Sequence, residues 1–486
     1  MRLPSPRVLI GSGLVLLGAV AIAIGVRGLG GKQHAAPPMT STTTNATTAT
    51  TTAPRPGAST TQSGITIADA RVSATPFAAT VTWTTTPATT GRVSAALGGL
   101  QPTLWSAADG PTETHHATIG GLAFASDYSL TVSAATADGG RAELSLAVST
   151  PKPAAESVVA STRGTAILLD GEPFFPLLVW GQCPPAYPGL VAAGMNLFAE
   201  NPCGGVQAQL DALGGTALSA SVAGESDVQD PSVVGWFYPD EADGHGLTGA
   251  TLPALPASRP TGRISFLTLS NHFYSQTAPL AAGRAIYPGL VAKADVVGFD
   301  LYPLQVMCWP DRIGSVYDSQ RELERLAAGK PTFQWIEAQT MQCPQTGATA
   351  VTPATVRAES WLAIAAGATG LGFFPADWTG VVGDAVREVA TEVKALQPAL
   401  LAPPLAADAG GSALRVAARE LNGALYVIVA NPQRVAAAAS VRLAALGDRV
   451  LTPLRGGDPV TASDGVARVT LPPLGAGVWV APPTGA

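Results

Sequence analysis

The sequence is poor in charged residues and in histidine. Lysine, arginine, aspartate and glutamate make up 13% of its 486 residues, and the net charge of −6 is spread thinly. A nucleic-acid-binding surface needs clustered lysine and arginine; without a basic stripe, we expect no nucleic-acid partner. The five histidines show no metal-ligand spacing, which argues against a metal-dependent phosphoesterase. We expect no metal and no other cofactor.

Cysteine is also scarce. The four residues, Cys183, Cys203, Cys308 and Cys343, contain no C-x-x-C pair, which argues against a structural zinc site. An even number of cysteines in an exported chain predicts disulfide bonds instead.

The N-terminus indicates export. Arg2 and Arg7 precede an uncharged run of 19 residues, Val8–Val26, which is just long enough to cross a bilayer as a helix. It exceeds the usual signal-peptide core of roughly 7–15 residues, and no A-x-A cleavage site follows it. We therefore favour an uncleaved signal anchor within residues 1–36 over a cleaved signal peptide. In either case the rest of the chain is extracytoplasmic, anchored by this helix or secreted.

A stretch rich in threonine, proline and alanine follows at residues 37–63. This composition cannot bury a core and predicts an extended linker. From residue 64 to 152 the pattern changes to short alternating strands such as Ala79–Thr85, Tyr128–Ala134 and Ala142–Ser149, which predict a β-sandwich. Trp83 on an early strand and the segment GLAFASDYSLTVSA, which contains Tyr128, resemble a fibronectin type III module. The adjacent His115 and His116 of this region are expected to be solvated.

Residues 158–400 have a different period, in which apolar strand-like runs alternate with alanine- and leucine-rich helical stretches. This alternation is typical of a buried parallel sheet, and eight units predict a (β/α)8 TIM barrel. The runs are Phe174–Trp180, Asn196–Ala199, Thr216–Val222, Val233–Tyr238, Ile264–Leu269, Val296–Leu301, Thr332–Ile336 and Gly370–Phe374.

A doubly wound open sheet is the alternative fold for this region. It is disfavoured because no glycine-rich phosphate-binding motif follows any of the strands. In residues 403–486 the alternation returns to a period of two, which predicts a small C-terminal β-sandwich with no chemistry of its own.

In a (β/α)8 barrel the reactive groups lie at the carboxyl ends of the strands. Two carboxylates stand out there because each follows an aromatic-rich strand: Glu241 in VVGWFYPDEAD and Glu337 in PTFQWIEAQ. They follow strands 4 and 7, which places them across the barrel mouth from each other. Two facing carboxyl groups can divide glycoside hydrolysis between a proton donor and an ionised partner.

At these motifs the chain resembles clan A of the retaining glycoside hydrolases, and bacterial members of it. The resemblance rests on LDGEPFFPLLVWG (Leu169–Gly181), GWFYPDE (Gly235–Glu241), WIEAQ (Trp335–Gln339) and RAESWLAIAAGATGLGFF (Arg357–Phe374). It implies that Glu241 is the acid/base and Glu337 the nucleophile. It also implies that Tyr302 steadies the nucleophile and that Trp378 forms the floor of the sugar site.

The chain departs from the clan at one position. Asp240 stands where the clan has an asparagine that binds the sugar 2-hydroxyl. The sequence therefore leaves open whether Asp240 or Glu241 donates the proton. Further residues at strand ends are candidate substrate contacts; these are Asp300, His272, Trp180, Glu200, Asn201 and Trp309.

The predicted strand order also pairs the cysteines. Cys183 and Cys203 follow neighbouring strands, as do Cys308 and Cys343, so we predict the disulfides Cys183–Cys203 and Cys308–Cys343 around the mouth.

The sequence thus predicts a monomeric retaining glycoside hydrolase acting on an oligo- or polysaccharide of a cell wall or the environment. Its catalytic carboxyl groups should lie about 5–5.5 Å apart. The alternative is a surface-displayed glycan-binding or adhesive protein on a catalytically inactive barrel.

Overall fold

The computed structural model of the protein describes residues 58–153, 158–222, 230, 232–255, 262–344, 347–376 and 378–484. The expected signal segment, residues 1–36, and the linker up to residue 57 lie outside this part of the chain. Among the described residues, no helix is both long and apolar enough to span a membrane.

Seven antiparallel strands form the N-terminal sheet. They are β1 (Ala58–Gln62), β2 (Ile65–Ala74), β3 (Ala78–Leu97), β4 (Leu104–Trp105), β5 (Thr112–Gly120), β6 (Asp127–Ala135) and β7 (Arg141–Ser149). The long β3 pairs with β2 and β5 through its first half and with β4 and β6 through its second half. The alternating strands expected from the sequence are therefore present, while the assignment to a fibronectin type III module stays a prediction.

Two sequence expectations need correction in this region. The last residues of the expected linker, Ala58–Gln62, form β1 and pair with β2. His115 is not solvated: the residue is 1% exposed and its ring stacks on Trp83 at 4.8 Å. Its Nδ1 lies 2.7 Å from a carboxylate oxygen of Asp109, which explains how a histidine can be accommodated in this core.

A small antiparallel sheet comes next, made of β8 (Ala160–Arg163), β9 (Ala166–Leu169) and β10 (Glu172–Phe174). Ile167, Leu169 and Phe174 share a buried cluster with Leu178 and Leu197 of the following barrel strands. This sheet therefore covers the amino-terminal end of the barrel.

Eight parallel strands then close into a barrel, and the last pairs with the first. They are β11 (Leu177–Trp180), β12 (Leu197–Ala199), β13 (Leu218–Val222), β14 (Val233–Phe237), β15 (Ile264–Leu269), β16 (Val296–Asp300), β17 (Thr332–Glu337) and β18 (Leu371–Phe374). All eight predicted strands are confirmed, and closure rules out the open sheet. The first barrel strand, β11, begins later than predicted because Phe174 belongs to β10. Pro176, which has no N–H to donate to a sheet, lies between β10 and β11.

Six α-helices are described, five of them around the barrel strands and one after the last strand. They are α1 (Tyr187–Ala192), α2 (Gly205–Leu213), α3 (Tyr287–Val291), α4 (Ser315–Ala327), α5 (Pro353–Ala365) and α6 (Gly380–Leu400). Short 3-10 helices cover Pro184–Ala186, Asn271–Phe273, Arg284–Ile286, Gly347–Thr349 and Ala444–Leu446.

The barrel interior is filled from β17. Phe333 lies against the backbone of Gly298 on β16, and Trp335 lies against the backbone of Gly372 on β18. A Cβ atom at Gly298 would come within 2.2 Å of the Phe333 ring, and one at Gly372 within 2.1 Å of the Trp335 ring. The two glycines thus make room for two large rings, which is how aromatic residues can occupy so narrow an interior.

The C-terminal strands are β19 (Pro404–Leu405), β20 (Arg415–Leu421), β21 (Ala424–Ala430), β22 (Ala437–Arg442), β23 (Val450–Pro453), β24 (Val460–Thr461), β25 (Val466–Leu471) and β26 (Ala476–Ala481). Six form one antiparallel sheet, while β22 pairs with β25. This all-β region agrees with the alternating pattern in the sequence.

Helix α6 connects the three regions. Thr103 of the N-terminal region donates a hydrogen bond of 2.6 Å to the Ala395 carbonyl. Gln397 accepts from the Phe175 backbone at 3.0 Å. Glu392, whose side chain is fully buried, accepts from Arg357 of α5 and from Arg455 of the C-terminal region. These bonds cross-link both β regions to the barrel through one helix.

The packing around Trp335 leads to a stability prediction. Gly372→Ala should lower the free energy of unfolding by about 1–3 kcal/mol, since overpacking a tight core forces the ring and backbone to shift. The measurement is chemical denaturation followed by tryptophan fluorescence. Gly189→Ala is the matched control, because a Cβ there would have no neighbour within 4 Å. Equal stabilities of the two variants would contradict the close packing of Trp335 on β18.

Candidate active site

Acidic residues meet at the carboxyl ends of β14 and β16. Asp300 is the last residue of β16, and Asp240 and Glu241 follow β14 after a two-residue extension. The charges of Asp240 and Glu241 both act on Asp300 and on Tyr302, two residues further along. The structure therefore brings together four residues that the sequence identified separately at strand ends.

Asp300 is the most deeply buried carboxyl group of this cluster. It is 9% exposed, and the Tyr302 hydroxyl donates a hydrogen bond of 2.5 Å to its Oδ1. Burial, and then the negative charges of Asp240 and Glu241, raise the pKa of Asp300 well above its usual range. Burial likewise raises the pKa of Tyr302, so the phenol keeps the proton that it donates. Asp300 is thus favoured as a neutral carboxylic acid.

Asp240 and Glu241 are half-buried. Burial and the Glu241 charge raise the pKa of Asp240 to about 6. The pKa of Glu241 is raised by burial and by Asp243, while His245 and His272 act in the opposite direction. His245 also lowers the pKa of Asp240, so Glu241 differs from Asp240 in having a second histidine, His272, that favours its ionised form.

Two of the acidic residues at the mouth have a left-handed backbone. Glu241 has a φ of 42° and Glu200, which follows β12, has a φ of 54°. This region is uncommon for residues other than glycine, asparagine and aspartate, and strain of this kind concentrates at functional sites. An Oε of Glu200 lies 3.4 Å from the place that a Cβ would take at Gly181, which puts Glu200 above the end of β11.

Asp243 supports the site without belonging to its surface. It is 1% exposed and accepts hydrogen bonds from the Ser270 backbone at 2.7 Å, from the Ser270 hydroxyl at 2.9 Å and from the Tyr287 hydroxyl at 3.0 Å. These bonds attach the loop after β14, which carries Glu241, to the end of β15.

Glu337 is the last residue of β17, as its sequence position predicted, but its carboxylate binds the loop after β16 and not the acidic cluster. It is 1% exposed, and its two oxygens accept from the backbone N–H groups of Leu304 at 2.8 Å and Gln305 at 2.7 Å. It also contacts Glu359 of α5. Burial raises the pKa of Glu337 to about 7. Each oxygen has a second lone pair besides the one bound to the backbone, so it is the 1% exposure of Glu337, more than its hydrogen bonds, that keeps the carboxylate from a substrate in this structure.

The three tryptophans predicted to contact sugar have different surroundings. Trp180 is half-buried at the end of β11 and packs edge-on against Phe237 at 5.3 Å, which places it at the bottom of the mouth. Trp378 is 8% exposed and packs against Phe373 in the cluster between barrel and helices. The guanidinium of Arg312 lies 4.1 Å from the centre of the Trp309 ring. Trp180 is thus the best placed of the three, while Trp378 serves packing in this structure.

The smaller polar candidates are held by local bonds. Asn201 is 3% exposed and bonds to the backbone of Cys203 and Gly205, so it shapes the loop after β12. The Nδ1 atom of His272 contacts the Ala278 carbonyl, and the ring acts on Glu241. Of the two, His272 is the one whose charge reaches the acidic cluster.

Both predicted disulfides are present. Cys183 and Cys203 join the loops after β11 and β12 with a Cα–Cα distance of 5.5 Å, and Cys308 and Cys343 join those after β16 and β17 with 5.8 Å. Their presence is compatible with an extracytoplasmic location.

Sequence reasoning missed Glu359. It lies in RAESWLAIAAGA, a helical stretch with few polar residues, and is 1% exposed. A single acidic residue in such a segment indicates a buried carboxyl group. Candidates were sought only at the carboxyl ends of strands, so this signal was not used. Within the described ranges, no group of three or more histidine, cysteine, aspartate or glutamate side chains could hold a metal ion.

No protein-family model and no curated protein matches the chain. Three of the solved structures that it resembles are described as glycoside hydrolases. A β-glucuronidase from Ruminococcus gnavus is 12% identical, with 67% of each chain covered and a TM-score of 0.35. A GH30 endoxylanase from Clostridium papyrosolvens C71 is 10% identical over 67% of this chain and 98% of its own, with a TM-score of 0.39. A putative α-galactosidase from Bacteroides fragilis is 12% identical over 81% and 92%, also with 0.39. Likenesses this weak identify no substrate.

The acidic cluster leads to a prediction about stability. The pKa of Asp300 is raised in the folded state, so unfolding releases its proton above its ordinary pKa of 3.8, and the free energy of unfolding falls as pH rises. Asp300→Asn should remove this loss and raise Tm, by more at about pH 8 than at about pH 4. The measurement is thermal unfolding across pH. Asp458→Asn, at an exposed position of the C-terminal region, is the control. A lower Tm for Asp300→Asn at both pH values would contradict the raised pKa of Asp300 in the folded state.

Proposed function

We propose that the protein is an extracytoplasmic glycoside hydrolase whose reaction takes place among the carboxyl groups at the ends of β14 and β16. The observation that carries the proposal is the convergence of Asp240, Glu241 and Asp300, with a hydrogen-bonding tyrosine and an aromatic floor, at the barrel mouth. Three acids this close cannot all be ionised, so the cluster holds a proton near neutral pH.

The surroundings of the acids suggest how the work is divided. Acid and base roles follow from environments that push the pKa values of two groups apart. Asp300, buried and facing two negative charges, is the proton donor to the leaving oxygen. Glu241, whose ionised form is favoured by His245 and His272, is the carboxylate that attacks the anomeric carbon. Tyr302 binds one oxygen of Asp300, which leaves the other oxygen to carry the proton.

In a double displacement, the bond from the anomeric carbon to the leaving oxygen breaks as Glu241 forms an ester and Asp300 gives its proton to that oxygen. Asp300, now ionised, then takes a proton from water, which attacks the same carbon and frees Glu241. Asp240 remains beside both groups, and its charge keeps the pKa of Asp300 high. The configuration of the sugar is retained.

These roles differ from those implied by the clan A resemblance, in which Glu241 donates the proton and Glu337 attacks. We prefer Asp300 to Glu337 as the partner of Glu241 because Glu337 is 1% exposed and binds the backbone of the loop after β16. Clan A membership would require the roles implied by the resemblance, so it belongs to that alternative. A cell-wall or environmental glycan as substrate, a monomeric state, and sugar contacts from Trp180, His272 and Glu200 belong to the proposal. So do domains at 64–152, 158–400 and 403–486, with the two β regions as accessory modules.

A comparison of variants tests the assignment. Asp300→Asn should lower kcat/KM by about 10²–10⁴-fold, the range for loss of a catalytic acid. Glu241→Gln should lower it by at least as much, because an amide cannot form the ester. Glu337→Gln should cost less, since one oxygen of the amide can still accept. The measurement is hydrolysis of a panel of aryl glycosides, with product configuration read by proton NMR. Asp458→Asn should match wild type.

Other outcomes have definite meanings. Full loss in Glu337→Gln together with full activity in Asp300→Asn would overturn our roles in favour of those implied by the resemblance. No turnover by wild type on any glycoside, together with saturable glycan binding, would favour the adhesive protein. An inverted product would exclude double displacement.

A pH profile tests the coupling within the cluster. Because the Asp240 charge raises the pKa of Asp300, Asp240→Asn should move the basic limb of kcat/KM, where the proton donor is lost, to lower pH. The measurement is kcat/KM from about pH 4 to about pH 9 on an active aryl glycoside. A basic limb that stays in place or moves upward would show that Asp300 is not the donor.

A further inference from the structure

Glu337 and Glu359 form a second acidic pair, separate from the cluster at the mouth. Each is 1% exposed. Both oxygens of Glu359 lack a hydrogen-bond donor among the described residues, yet its carboxyl group contacts that of Glu337. Two ionised carboxylates in contact, out of reach of water, would be strongly repulsive, whereas one proton between them turns repulsion into a hydrogen bond.

The backbone decides which of the two carries the negative charge. Glu337 accepts from two N–H groups, and bonds of this kind favour the ionised form of a carboxyl group. Glu359 has no such donors in the part of the chain that the structure describes. Burial, and then the charge of Glu337, raise the pKa of Glu359 well above its ordinary range. The other charged group that acts on Glu359 is Arg434, on the C-terminal side.

The two N–H groups belong to the segment that follows Tyr302. Gln305, one of them, also accepts from the Met341 backbone at 2.9 Å and donates to the Thr349 carbonyl at 2.7 Å. Its own carbonyl accepts from Cys343 at 3.1 Å. Glu337 therefore holds the loop after β16, and Gln305 joins that loop to the one after β17.

We propose that Glu337 and Glu359 share one proton in the folded protein and act together as a positioning pair, which fixes the segment after β16 and with it Tyr302. Glu359 donates the proton to Glu337, and Glu337 binds the backbone of Leu304 and Gln305. The shared proton and the anchoring of the loop are inferred from the contacts of Glu337 with Glu359, Leu304 and Gln305, and they do not depend on the proposed function. The consequence for catalysis rests on the proposed function, because it acts through the bond from Tyr302 to Asp300.

The test compares Glu359→Gln, Glu337→Gln, their double variant and Glu337→Leu in the full chain. Glu113→Gln, at an exposed position of β5, is the control. The first measurement is the pH dependence of the free energy of unfolding between about pH 5 and about pH 8. The pair holds a proton that the unfolded chain has lost above the ordinary glutamate pKa, so wild-type stability falls as pH rises through this window.

Glu359→Gln should lower the number of protons released on unfolding by about one. Glu337→Gln should keep most of the release, because burial alone still favours the neutral form of Glu359. The double variant should match Glu359→Gln, because Glu359 carries the proton of the pair. Glu113→Gln should match wild type. Wild-type proton release in Glu359→Gln, or a further loss of about one proton in the double variant relative to Glu359→Gln, would overturn the sharing.

The second measurement is amide hydrogen exchange at Leu304 and Gln305. Glu337→Leu removes both acceptors and should speed exchange there by at least about 10-fold, while β21 amides keep their rates. Glu359→Gln, whose amide can still donate to Glu337, should stay within about 3-fold of wild type. Unchanged exchange in Glu337→Leu would overturn the anchoring. If Glu337→Leu does not fold, hydrogen exchange in Glu337→Gln tests the anchoring instead. This variant keeps one acceptor, so the amide of either Leu304 or Gln305 must exchange faster than in wild type.

Neither measurement needs a substrate, so the pair can be confirmed or rejected even when no glycoside is cleaved. If wild type is active, Glu337→Leu should lower kcat with little change in KM through displacement of Tyr302. A wild-type kcat in this variant would overturn the link between the pair and catalysis. It would not bear on the shared proton, which the pH dependence of unfolding tests separately.

Discussion

The packing of Phe333 and Trp335 against Gly298 and Gly372 is the contact on which the barrel depends. Two large rings from one strand occupy space that the neighbouring strands leave free by having no side chain there. The interior is thereby filled up to the level of Trp180, and the acids at the strand ends lie on an apolar floor. The low polarity of this floor is what raises their pKa values, so the packing of the core and the chemistry of the mouth have one physical cause.

The barrel carries two acidic networks with different properties. The cluster at the mouth has half-exposed members, nearby histidines and a left-handed backbone at Glu241, all of which suit a reactive site. The pair behind it, Glu337 and Glu359, is sealed and bonded to backbone, which suits a structural anchor. Both hold protons near neutral pH, but only the first has a group that a substrate could reach.

Much of the fold follows from the sequence. The eight barrel strands alternate with helices clearly enough that each was located within three residues, and the cysteines follow neighbouring strands, which fixed both disulfides. The strand ends also identified Asp240, Glu241, Asp300 and Tyr302, since a barrel presents reactive groups there. Which of these acids meet could not be read from strand order, because it depends on side-chain direction after the strand has ended.

What the sequence alone determined is the order of secondary structure and which residues end the barrel strands, because both follow from local periodicity. What only the tertiary structure decided is the partner of each acid. Glu337 and Glu241 look equivalent as strand-end glutamates, yet one is bound by the backbone of another loop and the other faces histidines. Burial and hydrogen-bond partners come from segments far apart in the chain, and these, more than residue type, set the charge of a carboxyl group.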